Sequence, residues 1–164
     1  MDNEFYRAHD YNPKTLKDGK VPTGANNFFE ADYEPSFPNI ENPFIATDFF
    51  YESLVEGTVS VIGRIPYPEA FQQFSFVIPC STEDGTYQIT EADTGISAAF
   101  ITGYVGIIRL VKGTIKFSRD KVRNTIDASF SVYIPHKHEE EETEEYHAEG
   151  RIFLNATGPL CVEG

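Results

Sequence analysis

The stretch from Val122 to Ile134 alternates apolar and polar residues almost without a break. Its even-numbered positions are mostly apolar, and its odd-numbered positions up to Ser131 are all polar. Successive side chains of a β-strand point to opposite faces of the sheet. The pattern therefore predicts a long strand with one buried face and one face in water.

Two further segments with the same alternation flank this strand, so we expect a meander of three consecutive antiparallel strands. The connection Ser118–Lys121 has a common hairpin length, and it predicts that Phe117 pairs with Val122. The third strand is expected at about residues 145–156. The inward positions of the two flanking strands are Val111, Gly113, Ile115, Phe117, Tyr146, Ala148, Gly150, Ile152 and Leu154.

Strand-like segments also occur earlier in the chain. They cover about residues 44–53, 55–65, 71–79 and 86–89. Six or seven short strands, several with internal glycines, predict an all-β domain in which an antiparallel meander forms a closed or nearly closed barrel, with a β-sandwich as the alternative. One short helix is expected after Thr94, which can cap it, because the residues up to Ile101 contain no strong helix breaker beyond Gly95.

The first 43 residues differ in composition from the rest. Their prolines, Pro13, Pro22, Pro35, Pro38 and Pro43, disfavour long regular elements. Their aromatic content is nevertheless too high for a typical disordered tail. We therefore divide the chain into an irregular aromatic and proline-rich arm, residues 1–43, packed on an antiparallel β domain, residues 44–164. Phe28, Phe29 and Tyr33 are the aromatic residues of the arm that we expect to contact a partner.

The charge balance excludes some partners. The chain has 13 Lys and Arg residues against 26 Asp and Glu residues, a formal net charge of −13. Nucleic-acid binding needs a basic surface, so a nucleic-acid partner is not expected.

No apolar run is long enough to span a membrane, and the first residues do not resemble a signal peptide. A cytoplasmic location follows, although a protein exported without a leader would have the same sequence.

Two cysteines, Cys80 and Cys161, lie far apart in the sequence. Their number and spacing fit no close-spaced metal-binding pattern. In a cytoplasmic protein two reduced structural thiols are expected, with a disulfide as the alternative.

The segment from Pro135 to Glu145 is strongly acidic and contains His136 and His138. Imidazoles and carboxylates bind transition metals, but a flexible acidic hairpin tip lacks the surrounding contacts that hold ligands in place. We therefore predict neither a metal site nor a cofactor. The acidic loop could instead contact a basic partner through Glu140, Glu141 and Glu142.

Four tyrosines are candidates for the lining of a ligand cavity. If the strands close into a barrel, a tyrosine at its mouth would offer a hydroxyl group beside an apolar space. These residues are Tyr87, Tyr104, Tyr133 and Tyr146. The small inward residues of the strands would leave room for a ligand, although tight packing explains them equally well.

The sequence favours a non-enzymatic β-barrel that acts as a protein-interaction module. It would contact other proteins, or further copies of itself, through the N-terminal arm and the acidic loop. The alternative is a barrel that binds a small apolar molecule. A second alternative is a cyclase, isomerase or hydrolase that uses carboxylate or tyrosine chemistry, for which the sequence identifies no catalytic residues.

Overall fold

The structure, a computed structural model, describes residues 3–10, 27–34, 43–66, 71–89, 95–103, 107–136 and 144–161. In these ranges the chain forms one short helix and eleven strands. In chain order they are α1 (Asn3–Ala8), β1 (Phe28–Glu34), β2 (Phe44–Ile45), β3 (Asp48–Glu52), β4 (Thr58–Pro66), β5 (Phe71–Pro79), β6 (Gly85–Ile89), β7 (Ser97–Gly103), β8 (Ile107–Leu110), β9 (Lys112–Asp120), β10 (Thr125–His136) and β11 (Glu144–Asn155).

The strands form two antiparallel sheets. The six-stranded sheet has the order β2-β1-β11-β10-β9-β6, and the five-stranded sheet has the order β3-β4-β5-β7-β8. The prediction of an all-β antiparallel fold is confirmed. Among the described strands neither sheet closes on itself, so each sheet has two edge strands.

Aromatic rings from both sheets meet in one core. Phe29 on β1 stacks on Phe74 and Phe76 of β5 with ring centroids 6.3 and 6.2 Å apart. Phe130 on β10 approaches Phe76 at 4.9 Å. Because β1 and β10 belong to one sheet and β5 to the other, these contacts join the two sheets. Gly63 on β4 leaves the space that the Phe29 ring occupies, since a Cβ there would lie 2.5 Å from the ring.

The predicted meander is confirmed as β9, β10 and β11, and its even positions on β10 are buried as expected. The register of its first hairpin was wrong: Phe117 pairs with Ala128, not with Val122. The turn lies at residues 121–124, where Asp120 Oδ1 accepts hydrogen bonds from the amides of Val122 and Arg123. Asn124 has a φ of 57°, which asparagine tolerates well. The shift is by an even number of residues, so the buried face is unchanged.

The helix expected after Thr94 is wrong for the residues that the structure describes. Ser97–Gly103 forms β7 and pairs with β5. Ala98 and Phe100 face the core, while Ala99 and Ile101 are buried on the other face. Pairing with the buried strand β5 therefore outweighs the local signal for a helix. The observed helix, α1, lies instead at the start of the chain.

The N-terminal arm is more regular than its prolines suggested. Residues 28–34 form β1, which pairs with β11 on one side and β2 on the other. The single strand expected at residues 44–53 is divided into β2 and β3, which belong to different sheets. Arm residues 1–2, 11–26 and 35–42 lie outside the described part of the chain.

The expectation of two reduced thiols is wrong in this structure. Cys80 and Cys161 form a disulfide with their Cα atoms 5.7 Å apart. The bond joins the end of β5 to the segment that follows β11, so it links the two sheets. The sequence separation of 81 residues hid this proximity.

Candidate functional site

Two surfaces carry polar groups in specific arrangements, one on the outer side of each sheet. The first is covered by residues 3–10, which we call the N-terminal strap. The strap lies on the side of the five-stranded sheet that faces away from the core. It contacts Ser60 and Arg64 on β4, Ser75 on β5 and Ser97 on β7. Ser60 and Arg64 lie on the polar face of the alternating pattern of β4, and the strap buries both.

His9 is the centre of the strap contacts and has no exposed surface. Its Nδ1 atom lies 2.5 Å from Ser75 Oγ, and its Nε2 atom lies 2.9 Å from Ser97 Oγ. Burial lowers the pKa of His9 to about 3, because a charged imidazolium would lose its hydration. The imidazole is therefore neutral at pH 7, with a hydroxyl group on each ring nitrogen.

A buried ion pair lies beside this histidine. Arg64 Nη2 donates to Asp10 Oδ2 at 2.6 Å, and the two side chains are 4% and 10% exposed. Arg64 Nε donates to Gln73 Oε1 at 2.7 Å, and Gln73 Nε2 donates to the His9 carbonyl at 2.6 Å. The Ser60 hydroxyl donates to the Ala8 carbonyl. Buried charges need such partners, and here the sheet supplies them to the strap.

The histidine and serine pair has the geometry of a base beside a nucleophile, but it is not accessible. His9 and Ser75 are both fully buried, so a substrate has no route to the Ser75 oxygen in this structure. The arrangement instead fixes the strap on the sheet. One part of the sequence signals it: β5 has apolar residues on both faces, Phe74 and Phe76 on one and Val77 on the other, and residues 72–78 are all buried. Polar residues on such a strand require partners on the covering segment.

The second surface is an open depression on the outer side of the six-stranded sheet, which we call the outer groove. Its volume is about 680 Å³, and it crosses β1, β9, β10 and β11. Its outward side chains form rows across the sheet, because the strands are paired in register. One row contains Lys116, Ser129, Arg151 and Glu30. The next row contains Thr114, Ser131, Glu149 and Asp32.

Charge is unevenly distributed across this face. Among the residues of β9 and β1, the outward charged residues in these rows are Lys116 on β9 and Glu30 and Asp32 on β1, and the next row adds Lys112 on β9 and Glu34 on β1. The two strands are separated by β10 and β11. At a spacing of about 4.8 Å between strands, the lysines and the carboxylates lie on the order of 14 Å apart. Serine hydroxyls on β10 occupy the middle of the groove.

Ser131 and His147 form a contact at one end of the outer groove. Ser131 Oγ lies 2.6 Å from His147 Nε2, and the Tyr133 ring lies 4.9 Å from the imidazole ring. Glu149 approaches the same nitrogen at 3.8 Å. In a Ser-His-acid triad the carboxylate holds the other ring nitrogen. That arrangement is not present among the described residues, so the contact is a polar pair rather than an assembled triad.

The three candidate tyrosines in the described ranges do not line one cavity. Tyr133 and Tyr146 point to opposite faces of the six-stranded sheet, the first 48% exposed and the second 4% exposed. Tyr87 packs on Phe117 at the edge strand β6, and its hydroxyl donates to the Glu83 carbonyl. Tyr104 lies outside the described residues.

The proposed contact residues of the arm also separate. Phe29 and Tyr33 are core residues with 0% and 4% exposure, so their side chains are not available to a partner in this structure. Phe28 is half-buried at the margin of the outer groove, stacked on Phe153. The acidic loop residues Glu140, Glu141 and Glu142 lie outside the described part of the chain.

In the described ranges, no group of three or more His, Cys, Asp or Glu side chains is placed to hold a metal ion. Nor do these ranges contain a helix long and apolar enough to cross a membrane. Comparison with known proteins found no matching family model, no matching curated protein and no matching solved structure.

Proposed function

We propose that this protein is a non-enzymatic protein-interaction domain that binds an extended, polar segment of a partner in the outer groove. The observation that carries the proposal is the opposed charge of the groove margins. A partner segment with acidic residues over the lysines of β9 and basic residues over the carboxylates of β1 would match both. The same face is also concave, which suits a bound segment.

The packed core makes the apolar-ligand alternative weaker. Phe74 is in contact with Phe44, Phe100 and Phe130 at centroid separations of 5.0, 4.7 and 5.5 Å. These rings fill the space between the sheets in which an apolar molecule would have to lie. The two open sheets over a shared core also favour the sandwich alternative over the barrel.

The contact of the acidic loop with a basic partner, expected from the sequence, remains part of the proposal. The loop connects β10 to β11, and these two strands form the middle of the outer groove. We propose that the carboxylates of the loop contact a basic region of the same partner. The Cys80–Cys161 disulfide also favours an oxidising environment, since such bonds are rare in reducing compartments.

The test is selection of binders from a phage-displayed library of random peptides against the full-length chain. We expect enriched peptides that carry separated acidic and basic residues. The Lys112→Glu/Lys116→Glu variant should bind these peptides about tenfold or more weakly, because it replaces the cations on β9. A matched control is Lys121→Glu/Arg123→Glu, which makes the same change of charge in the turn after β9, beyond the groove rows.

Two results would overturn the proposal. One is the absence of any enriched peptide that binds the wild-type chain. The other is equal loss of affinity in the groove variant and the turn variant, since this would show that net charge alone governs binding.

A further inference from the structure

The contacts of the N-terminal strap have the character of ligand recognition. Three consecutive residues, Ala8, His9 and Asp10, are each held by a different set of groups on the sheet. We propose that the outer side of the five-stranded sheet is a peptide-binding site for an Ala-His-Asp segment, occupied by the chain's own N-terminus and able to accept the same segment from a second copy. This site lies on the opposite sheet from the outer groove, so it stands independently of the function proposed above.

The site contacts the side chains of the bound segment as well as its backbone. Ser75 and Ser97 stand on adjacent strands at a separation that places one hydroxyl on each nitrogen of an imidazole. An apolar side chain such as leucine would leave both hydroxyls without this partner. Selectivity for histidine over apolar residues follows from this pair of contacts.

The next position selects a carboxylate. Arg64 is 4% exposed and is oriented by Gln73 and by the ring of Phe50, 5.3 Å from the guanidinium carbon. An unpaired guanidinium in this position would be costly, so the site favours a peptide that brings a negative charge. Gln73 and Ser60 then donate to the carbonyls of His9 and Ala8, which fixes the direction of the peptide.

The occupant is suited to exchange between copies. Residues 11–26 separate the strap from the next described residue, Asn27. The contacts that hold Ala8, His9 and Asp10 on the sheet are hydrogen bonds and an ion pair. Exchange of an identical segment is a common route to association between copies.

The tethered strap competes with any free peptide. Because the strap belongs to the same chain as the site, it binds with an effective concentration on the order of 1 mM. A free peptide should therefore bind the wild-type chain weakly. It should bind much more tightly when the chain's own strap is weakened, because the sheet residues of the site are then unchanged but uncovered.

The experiment uses a fluorescently labelled synthetic peptide of residues 1–12 and measures anisotropy with the full-length chain. We expect the His9→Ala/Asp10→Ala variant to bind the peptide about tenfold or more tightly than the wild-type chain does. A peptide carrying the same two alanines is the matched control and should not bind. Ser97→Ala, introduced into the double variant, should weaken binding several-fold because one imidazole contact is lost.

Circular dichroism verifies that each variant is folded, and Asp10→Asn replaces the double variant in the same comparison if the latter unfolds. Equal affinity of the peptide for the wild-type chain and the strap variant would overturn the proposal. So would equal binding of the alanine-substituted peptide, or no binding to the strap variant at about 1 mM peptide.

Discussion

The Nδ1 atom of His9 lies 2.5 Å from the Oγ atom of Ser75, although 66 positions separate the two residues in the chain. This contact attaches the N-terminal strap to the middle of the five-stranded sheet. It also holds a neutral imidazole in a site with no exposed surface. Stability should therefore depend on the protonation of His9.

Stability should fall as the pH is lowered from 7.5 to 5.5. The pKa of His9 is about 3 in the folded chain and 6.5 when it is released, so the unfolded state binds more protons in this range. The contribution of the neutral His9 side chain to the free energy of unfolding is complete above pH 6.5 and is lost progressively as the pH falls towards 3. At pH 5.5 the expected loss is about 1.4 kcal/mol in the free energy of unfolding.

Urea denaturation at the two pH values measures this loss. His9→Gln should remove the histidine-dependent part of the change, because glutamine does not titrate. His147→Gln, at a partly exposed site on the other sheet, is the control and should retain the change. A wild-type chain equally stable at both pH values would contradict the prediction.

Arg64→Ala should lower the free energy of unfolding by about 3–5 kcal/mol, because it leaves the Asp10 carboxylate buried without its partner. Arg123→Ala is the control, since Arg123 is exposed in a turn, and its effect should stay within about 0.5 kcal/mol. Thermal and urea denaturation of the two variants provide the comparison. Equal effects would show that the ion pair does not stabilise the folded chain.

Removal of the disulfide should destabilise the protein strongly. Cys80 and Cys161 are 81 positions apart, and closure of a loop of this length restricts the unfolded chain by about 4 kcal/mol. Cys80→Ser/Cys161→Ser should therefore unfold at lower urea concentration than the wild-type chain. Mass spectrometry after alkylation without reductant should find no free thiol in the wild-type chain; two alkylated cysteines would contradict the structure.

Gly63→Ala should cost about 1–3 kcal/mol, because the new methyl group would overlap the Phe29 ring from the opposite sheet. Phe29→Leu should relieve part of this overlap. The cost of the double variant should then be smaller than the sum of the single costs by on the order of 1 kcal/mol. Phe117→Leu is the control partner: it does not contact Gly63 closely, so its cost should add to that of Gly63→Ala. Urea denaturation of all five variants measures these differences.

The correct parts of the fold prediction rest on the alternation of apolar and polar residues. Val132 and Ile134 on β10 and Ile152 on β11 are buried, as their positions in the pattern indicated. The hairpin register was wrong because the pattern repeats every two residues, so pairings that differ by an even number fit it equally well. The choice among them came from Asp120 and Asn124, whose turn contacts the alternation does not report.

The alternation of residues does not show where a distant segment covers the polar face of a strand. Ser60 and Arg64 alternate with apolar residues on β4, which is the pattern of a strand with one face in water. The strap supplies their partners, and no local property of β4 indicates that His9 and Asp10 will reach it. The candidate tyrosines separated for a related reason, since their positions depend on sheet order rather than on their neighbours in the chain.

The sequence by itself determined that the chain is antiparallel and β-rich, which residues of the meander face the core, and that it carries a large negative charge. These properties follow from local periodicity and composition. Only the tertiary structure decided the division into two sheets, the pairing of Cys80 with Cys161, and the burial of His9 between the strap and the five-stranded sheet. Each of these depends on contacts between residues far apart in the chain. The order of residues along one strand does not indicate which distant residues will contact it.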